Sequence, residues 1–211
     1  MNQYFLRTLF IFALFAPFGL LSAEGIEDYN KRRYEVGGWV GAGNPFPSSK
    51  TIELLDTTLG GGAYARLPFP SLFYTEIGTS YAVFQSKSER GLTTIPVYAA
   101  LAYKIPIDLP IQFFAKAGGG QSYIVARPAD TARWVPLIYG GLEASFIAGK
   151  RIRIGVRLDY NQIRETNLDL PDSYRYPLAS PYDDPRLLNP NYYKLENAEF
   201  FYFGLMVGVL I

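Results

Sequence analysis

The chain has 211 residues, of which 16% are aromatic and 18% are charged, and its formal net charge is +1. This length suits one domain, the aromatic content excludes a disordered chain, and the near-neutral charge argues against a nucleic-acid partner. The sequence has no Cys and no His, which excludes disulfides, thiol chemistry, Ser–His catalysis and His-ligated metal sites.

Residues 1–23 have the pattern of a cleavable secretory signal peptide. Arg7 is the only charge before the end of the apolar run Thr8–Leu21, and Leu21-Ser22-Ala23 is a small-residue cleavage site. An uncleaved membrane anchor is the alternative, but the run is shorter than the ~20 apolar residues that a spanning helix needs. We therefore expect an exported and formally neutral mature domain over residues 24–211.

The rest of the chain is dominated by segments in which apolar and polar side chains alternate. This predicts extended strands, because successive side chains leave a strand on opposite faces. Each segment is long enough to cross a bilayer at a tilt, which takes about 9–11 residues. The eight predicted strands are Tyr34–Gly43, Leu55–Leu67, Phe73–Gln85, Thr93–Ile105, Ile111–Val125, Trp134–Ile147, Arg151–Ile163 and Glu199–Ile211. In the second, Gly60-Gly61-Gly62 obscures the parity and predicts a bend or bulge.

The seventh segment, RIRIGVRLDYN, shows the alternation best. One parity is apolar from Ile152 to Tyr160, and the other carries Arg151, Arg153, Arg157 and Asp159. A soluble strand hides such an apolar face in a core, whereas a membrane strand turns it to lipid and its charges to a polar lumen. Because the strands leave no second layer of chain to cover these apolar faces, we expect them to face lipid.

The connections differ in length from one end of the predicted barrel to the other. Three are tight turns rich in Pro, Gly and Asp, namely Leu67–Phe73, Ile105–Ile111 and Ala148–Arg151. The other four are longer or more polar, namely Asn44–Leu54, Ser86–Leu92, Arg127–Arg133 and the large loop of about residues 164–198. Short turns at one end and longer loops at the other are typical of outer-membrane barrels.

Mid-strand charges fall on the parity opposite the apolar one, so we predict that they form a charge network inside the barrel. A Lys or Arg facing lipid near the midplane would cost about 2–4 kcal/mol. An eight-stranded barrel is just wide enough for its side chains to fill, which predicts a salt-bridged plug. The eight predicted lumen residues are Glu35, Arg66, Glu76, Lys116, Glu143, Arg153, Arg157 and Asp159.

Aromatic residues on the outward parity divide between the two ends of the strands. Tyr81, Tyr123, Trp134, Tyr160, Phe201 and Phe203 fall near the long loops, and Phe73, Tyr103, Phe113 and Phe146 fall near the short turns. Aromatic girdles at both interfaces are expected of a membrane barrel.

The chain resembles the small eight-stranded outer-membrane barrels of the OmpA/OmpX type, over about residues 34–211. The resemblance rests on strand count, loop asymmetry and the closing strand FFYFGLMVGVLI, in which Phe201, Phe203 and Leu205 begin the alternation. It implies an all-β, eight-stranded antiparallel up-and-down transmembrane β-barrel in the bacterial outer membrane. It also implies outer-membrane lipid and the barrel-assembly machinery as partners. Ile211 departs from the terminal Phe or Trp of such families.

The large loop is the best sequence candidate for a surface interaction site, because recognition often lies on loops carried by a rigid scaffold. It contains five Pro and several Tyr, a composition suited to contacts. The candidate contact residues are Tyr174, Tyr176, Tyr182, Asp183, Asp184, Tyr192 and Tyr193. We expect Asp183 and Asp184 to be solvated rather than metal-bound, because a hard-cation site needs about six oxygens and no spaced motif is present.

We predict a monomeric, non-enzymatic barrel that acts as an envelope scaffold, or as a surface interaction protein for an extracellular ligand bound through its loops. A narrow channel for small solutes is the alternative, and a secreted lipocalin-like ligand-binding barrel is a weaker one. No cofactor or metal is expected.

Overall fold

The computed structural model describes residues 33–47, 52, 55–69, 71–85, 91–107, 109–127, 131–164 and 197–211. Eight strands follow one another in the chain: β1 Glu35–Pro45, β2 Thr58–Pro68, β3 Phe73–Gln85, β4 Gly91–Ile105, β5 Gln112–Arg127, β6 Thr131–Ala148, β7 Ile152–Ile163 and β8 Glu199–Leu210. Over these ranges, no helix has both the length and the apolar character needed to cross a membrane.

The strands close into one antiparallel barrel. Each strand pairs with its neighbours in the sequence, and β1 pairs with β8 from Glu35 opposite Leu210 to Pro45 opposite Phe200. Closure leaves no edge strand, so backbone donors and acceptors are satisfied without water, as a bilayer requires. The predicted eight-stranded up-and-down barrel is confirmed.

The strand boundaries match the alternation in the sequence within a few residues. The largest differences at a strand start are three residues: β2 begins at Thr58 rather than at Leu55, and β6 begins at Thr131 rather than at Trp134. The bulge predicted in β2 is wrong: Gly60, Gly61 and Gly62 lie opposite Gly41, Val40 and Trp39 in an unbroken register. These glycines provide space instead, because a Cβ at Gly62 would lie 2.7 Å from Nε1 of the Trp39 indole.

The connections follow the predicted asymmetry only in part. The connections of residues 46–57 and 164–198 are long, whereas that of residues 86–90 is shorter than the connection of residues 106–111 at the short-turn end. The segment predicted as a longer loop at Arg127–Arg133 is a short connection of residues 128–130, because β5 and β6 extend to meet it. These two strands have 16 and 18 residues, against 11 in β1 and 11 in β2. Since about 9–11 residues suffice to cross a bilayer, the β5–β6 hairpin is longer than a membrane crossing requires.

Apolar side chains face outward and charged side chains face inward along β7 and its neighbours. Ile154 and Val207 are 38% and 53% exposed, whereas Arg157 and Glu143 are 1% and 3% exposed. Burial of the charges and exposure of the apolar residues is the arrangement that hydrocarbon selects and water opposes. The predicted lipid-facing orientation is confirmed, and this arrangement does not fit a lipocalin-like barrel surrounded by water.

Aromatic side chains contact one another at both ends of the outer surface. At the long-loop end, Tyr123 packs against Trp134 with ring centroids 5.4 Å apart, and Tyr160 packs against Phe201 at 5.6 Å. At the short-turn end, the rings of Phe73 and Tyr103 are 5.1 Å apart. Such amphipathic rings suit the interface between hydrocarbon and headgroups.

Two valines on the outer face of β1 test the position of the hydrocarbon. Val40, at the middle of the strand, is 62% exposed, and Val36, near its short-turn end, is 51% exposed. We expect Val40→Arg to lower the free energy of unfolding from lipid vesicles by about 2–4 kcal/mol and Val36→Arg by about 0–1 kcal/mol. Denaturant titration followed by Trp fluorescence measures both, and equal losses would contradict a bilayer centred on the strands.

Candidate functional site

The interior of the barrel has two layers, a charged one towards the short turns and an aromatic one towards the long loops. The charged layer is the lumen charge network, made of Glu35, Arg66, Glu76, Lys116, Glu143, Arg153, Arg157 and Asp159. All eight of these side chains are buried. They come from six strands, and each lies on the parity opposite the lipid-facing residues.

Three members of the network are neighbours across the first three strands. Glu35 on β1 lies opposite Arg66 on β2, and Arg66 lies opposite Glu76 on β3. Opposite charges directly across from each other on one face stabilise a strand pair, whereas like charges there destabilise it. The register therefore places an acid, a base and an acid side by side on the lumen face.

Arg66 is the centre of the network. Its guanidinium donates to Glu76 Oε2 at 2.6 Å and to Glu143 Oε2 at 2.5 Å, and its Nη1 lies 3.3 Å from Glu35 Oε2. Glu143 belongs to β6, so this contact crosses the lumen from one wall to the other. A planar guanidinium with five donors is the cationic group best suited to bind several carboxylates at once.

Lys116 and Arg153 bind the same carboxylates from other sides. Lys116 Nζ lies 2.8 Å from Glu143 Oε2 and 3.1 Å from Glu76 Oε2. Arg153 Nη1 lies 3.2 Å from Glu35 Oε2. Each carboxylate of this group therefore contacts at least two cations, which offsets the cost of removing the charges from water.

Arg157 and Asp159 connect the network to two tyrosines. Arg157 Nε donates to Asp159 Oδ2 at 2.7 Å, and Arg157 Nη2 donates to the hydroxyls of Tyr98 and Tyr139 at 3.0 Å each. The two tyrosine rings stack at 3.9 Å, and the Tyr139 hydroxyl donates to Asp159 Oδ1 at 2.7 Å. Four cations and four carboxylates are thus held together with no excess charge of either sign.

The aromatic layer, which we call the upper plug, consists of Trp39, Phe84, Leu92, Ile124, Ile163, Phe200 and Tyr202. The rings of Phe84 and Phe200 stack at 4.2 Å, and the Tyr202 ring contacts the edges of Trp39 and Phe84. This layer was not predicted from the sequence, because the inward faces of the strands were expected to carry small and charged side chains. The available signal was that Phe84, Leu92 and Phe200 occupy the inward parity near the long loops.

A small cavity beside Ile163, Phe200 and Tyr202 of the upper plug is too narrow to hold a water molecule. Among its lining residues, Ser122 and Asn161 are buried, and the Tyr202 hydroxyl lies 3.2 Å from Thr94 Oγ1. Within the described part of the chain, no set of three or more acidic side chains is arranged to hold a metal ion. The chemistry that the interior supports is structural ion pairing.

The loop candidates Tyr174, Tyr176, Tyr182, Asp183, Asp184, Tyr192 and Tyr193 lie outside the described residues. The structure describes the strand ends on either side of this loop, where Ile163 N donates to the carbonyl of Ala198 at 2.8 Å.

Comparisons with known proteins identify the fold. No protein-family model and no curated protein sequence matches the chain. Among solved structures, the chain is similar to Neisserial surface protein A, with a TM-score of 0.60 and 8% identity over 84% of this chain and 97% of that one. It also matches the outer membrane protein OprG of Pseudomonas aeruginosa, with a TM-score of 0.47 and 9% identity over 85% and 97% of the two chains. Ail of Yersinia pestis matches with a TM-score of 0.46 and 11% identity over 85% and 99%.

The fold is therefore that of the small eight-stranded bacterial outer-membrane β-barrels. At such low identity the likeness concerns the fold alone, and the apolar exterior and charged interior of this chain independently require a membrane around it.

Removal of the Arg66 side chain tests the network. Arg66→Met leaves three buried carboxylates without their shared cation, and we expect the free energy of unfolding to fall by about 3–5 kcal/mol. Arg164→Met makes the same change at an exposed position and should stay within about 0.5 kcal/mol of the unmodified chain. The pair Arg66→Met, Glu143→Gln restores neutrality and should recover part of the loss. Denaturant unfolding in vesicles measures all three, and an unchanged Arg66→Met would contradict the role given to Arg66.

Proposed function

We propose that this protein is a closed, non-enzymatic outer-membrane barrel that serves as a rigid carrier for surface interaction loops. The observation that carries the proposal is the filled interior, in which the lumen charge network and the upper plug occupy the described cross-section. A solute channel needs a continuous polar path, whereas here buried aromatic rings cover a cluster of ion-paired side chains.

The same packing argues against catalysis inside the barrel. The carboxylates of the network are buried and bound to cations, so no substrate can reach them and none is held ready as a free acid or base. Perturbed charged groups also occur in purely structural networks, and the pairing here has that character. The absence of His removes the general base that many surface hydrolases use.

In an outer membrane, the long loops would be the parts of the barrel that meet the cell exterior. Recognition concentrates on loops held by a rigid scaffold, and the barrel supplies that rigidity by its closed hydrogen-bond ring. The large loop combines several Tyr with five Pro, which gives rigid contact area at low conformational cost. We propose that the protein works as a monomer, because the closed sheet needs no second chain to complete it.

Bilayer conductance tests whether the barrel itself is closed. We expect neither the full protein nor a variant with residues 167–196 replaced by a Gly–Ser turn to give steady current steps, because the closure lies in the barrel and not in the loop. A general porin in the same bilayer is the positive control. Steps that appear only after loop replacement would indicate a loop-gated channel, and steps in both proteins would overturn the closed-barrel proposal.

Cell adhesion tests the role of the large loop. A non-adherent strain that expresses the full protein should bind at least one member of a panel of immobilised extracellular proteins and polysaccharides above background, and the loop-replaced variant should bind at background. Equal surface amounts and the heat-dependent gel shift of a folded barrel are the controls for both strains. If the full protein leaves adhesion unchanged but its loss increases envelope permeability to detergent, the scaffold role remains and the interaction role is wrong.

A further inference from the structure

A pocket of about 460 Å³ lies at the short-turn rim of the barrel. It is bounded by the turn before β7, the end of β8 and Arg33, which lies two residues before β1. Its cationic side is formed by Arg33, Lys150 and Arg151, and its other side is formed by Val209, Leu210 and Ile211. Neither the lumen charge network nor the loops include these residues.

Backbone hydrogen bonds hold the walls of this pocket in place. Gly149 has a positive φ of 71°, which allows the chain to reverse tightly and places Lys150 and Arg151 at the rim. Arg33 Nη1 donates to the carbonyl of Lys150 at 2.7 Å, and Leu210 N donates to the carbonyl of Arg151 at 2.7 Å. The Arg33 guanidinium is therefore oriented by one of its five donors towards the carbonyl of Lys150.

The charged side chains that line this pocket are all cationic. The acid nearest in sequence, Glu35, is turned into the lumen, where it binds Arg66 and Arg153. The opposite rim is mixed, since it carries Asp56 and Glu199 in addition to its arginines. Three cationic side chains with no carboxylate side chain close by among the described residues favour an anionic ligand. The guanidinium of arginine also matches the geometry of a phosphate.

The apolar side of the pocket continues into the lipid-facing belt. Val209 and Ile211 are 49% and 71% exposed, and Ile152 on the adjacent strand is 45% exposed. A ligand that fills the pocket therefore contacts cations at its head and hydrocarbon-facing side chains along its tail. This combination matches a lipid with a phosphate headgroup better than it matches a free phosphate ion.

We propose that this pocket binds an anionic glycerophospholipid from the leaflet that meets the short-turn rim. Arg33, Lys150 and Arg151 hold the phosphodiester, and the acyl chains lie against Ile152 and Val209. Each Lys or Arg near an anionic membrane surface contributes about 1 kcal/mol, or roughly fivefold in affinity, so three together give a marked preference over a zwitterionic lipid. The proposal is independent of any role of the loops.

The test measures which lipid stays bound to the folded protein. The full barrel is folded in an equimolar mixture of phosphatidylglycerol and phosphatidylcholine, purified in detergent, and its retained lipid is counted by mass spectrometry. We expect phosphatidylglycerol to be enriched, and the double variant Lys150→Gln, Arg151→Gln to lower that enrichment by about fivefold per charge removed. Arg33→Lys keeps the charge but loses the planar fork, and should lower the enrichment less.

A matched control removes two charges from the opposite rim. Arg127→Gln, Arg164→Gln makes the same change in net charge and should leave the enrichment unchanged, with the heat-dependent gel shift confirming that both double variants fold. Equal enrichment in the two double variants would overturn the proposal. Displacement of the lipid by inorganic phosphate would show a free-anion site and would also overturn it.

Discussion

Every charged side chain that the strands carry at membrane depth must be paired with an opposite charge inside the barrel. Hydrocarbon neither solvates a guanidinium nor accepts a free backbone N–H, so both requirements must be met within one chain. The closed hydrogen-bond ring satisfies the backbone, and the lumen charge network satisfies the side chains. Because Arg66 joins carboxylates on β1, β3 and β6, the same contacts that neutralise charge also hold opposite walls of the barrel together.

The two layers of the interior stabilise the barrel by different kinds of interaction. The network provides directional contacts that are strong only when every partner is present, so it specifies how the strands are placed around the lumen. The upper plug provides non-directional packing of large rings, such as Phe84 on Phe200, and excludes water from the layer below. With the interior filled in this way, activity is expected at the surfaces, which are the loops at one end and the cationic rim at the other.

Much of this architecture was predictable because alternation is a local property. The inward orientation of Glu143 and Arg157 and the outward orientation of Leu158 follow from parity alone, once the medium outside is taken as lipid. The course of β2 was not predictable, because Gly60, Gly61 and Gly62 carry no parity signal and their register depends on the neighbouring strands. The short connection of residues 128–130 was not predicted either. The polar residues at its ends were interpreted as parts of a loop, although the hydrogen-bonded ladder between β5 and β6 extends over them.

The sequence by itself determined which face of each strand meets lipid, how many strands cross, and that the buried charges balance. These follow from side-chain chemistry repeated every second residue, and they need no knowledge of distant contacts. Only the tertiary structure decided that Arg66 binds three carboxylates at once, that aromatic rings close the upper lumen, and that Arg33 meets Lys150 across a gap of 117 positions in the chain. Closure of the sheet and the register of its strands bring these residues together, and neither is encoded in the parity of any one strand.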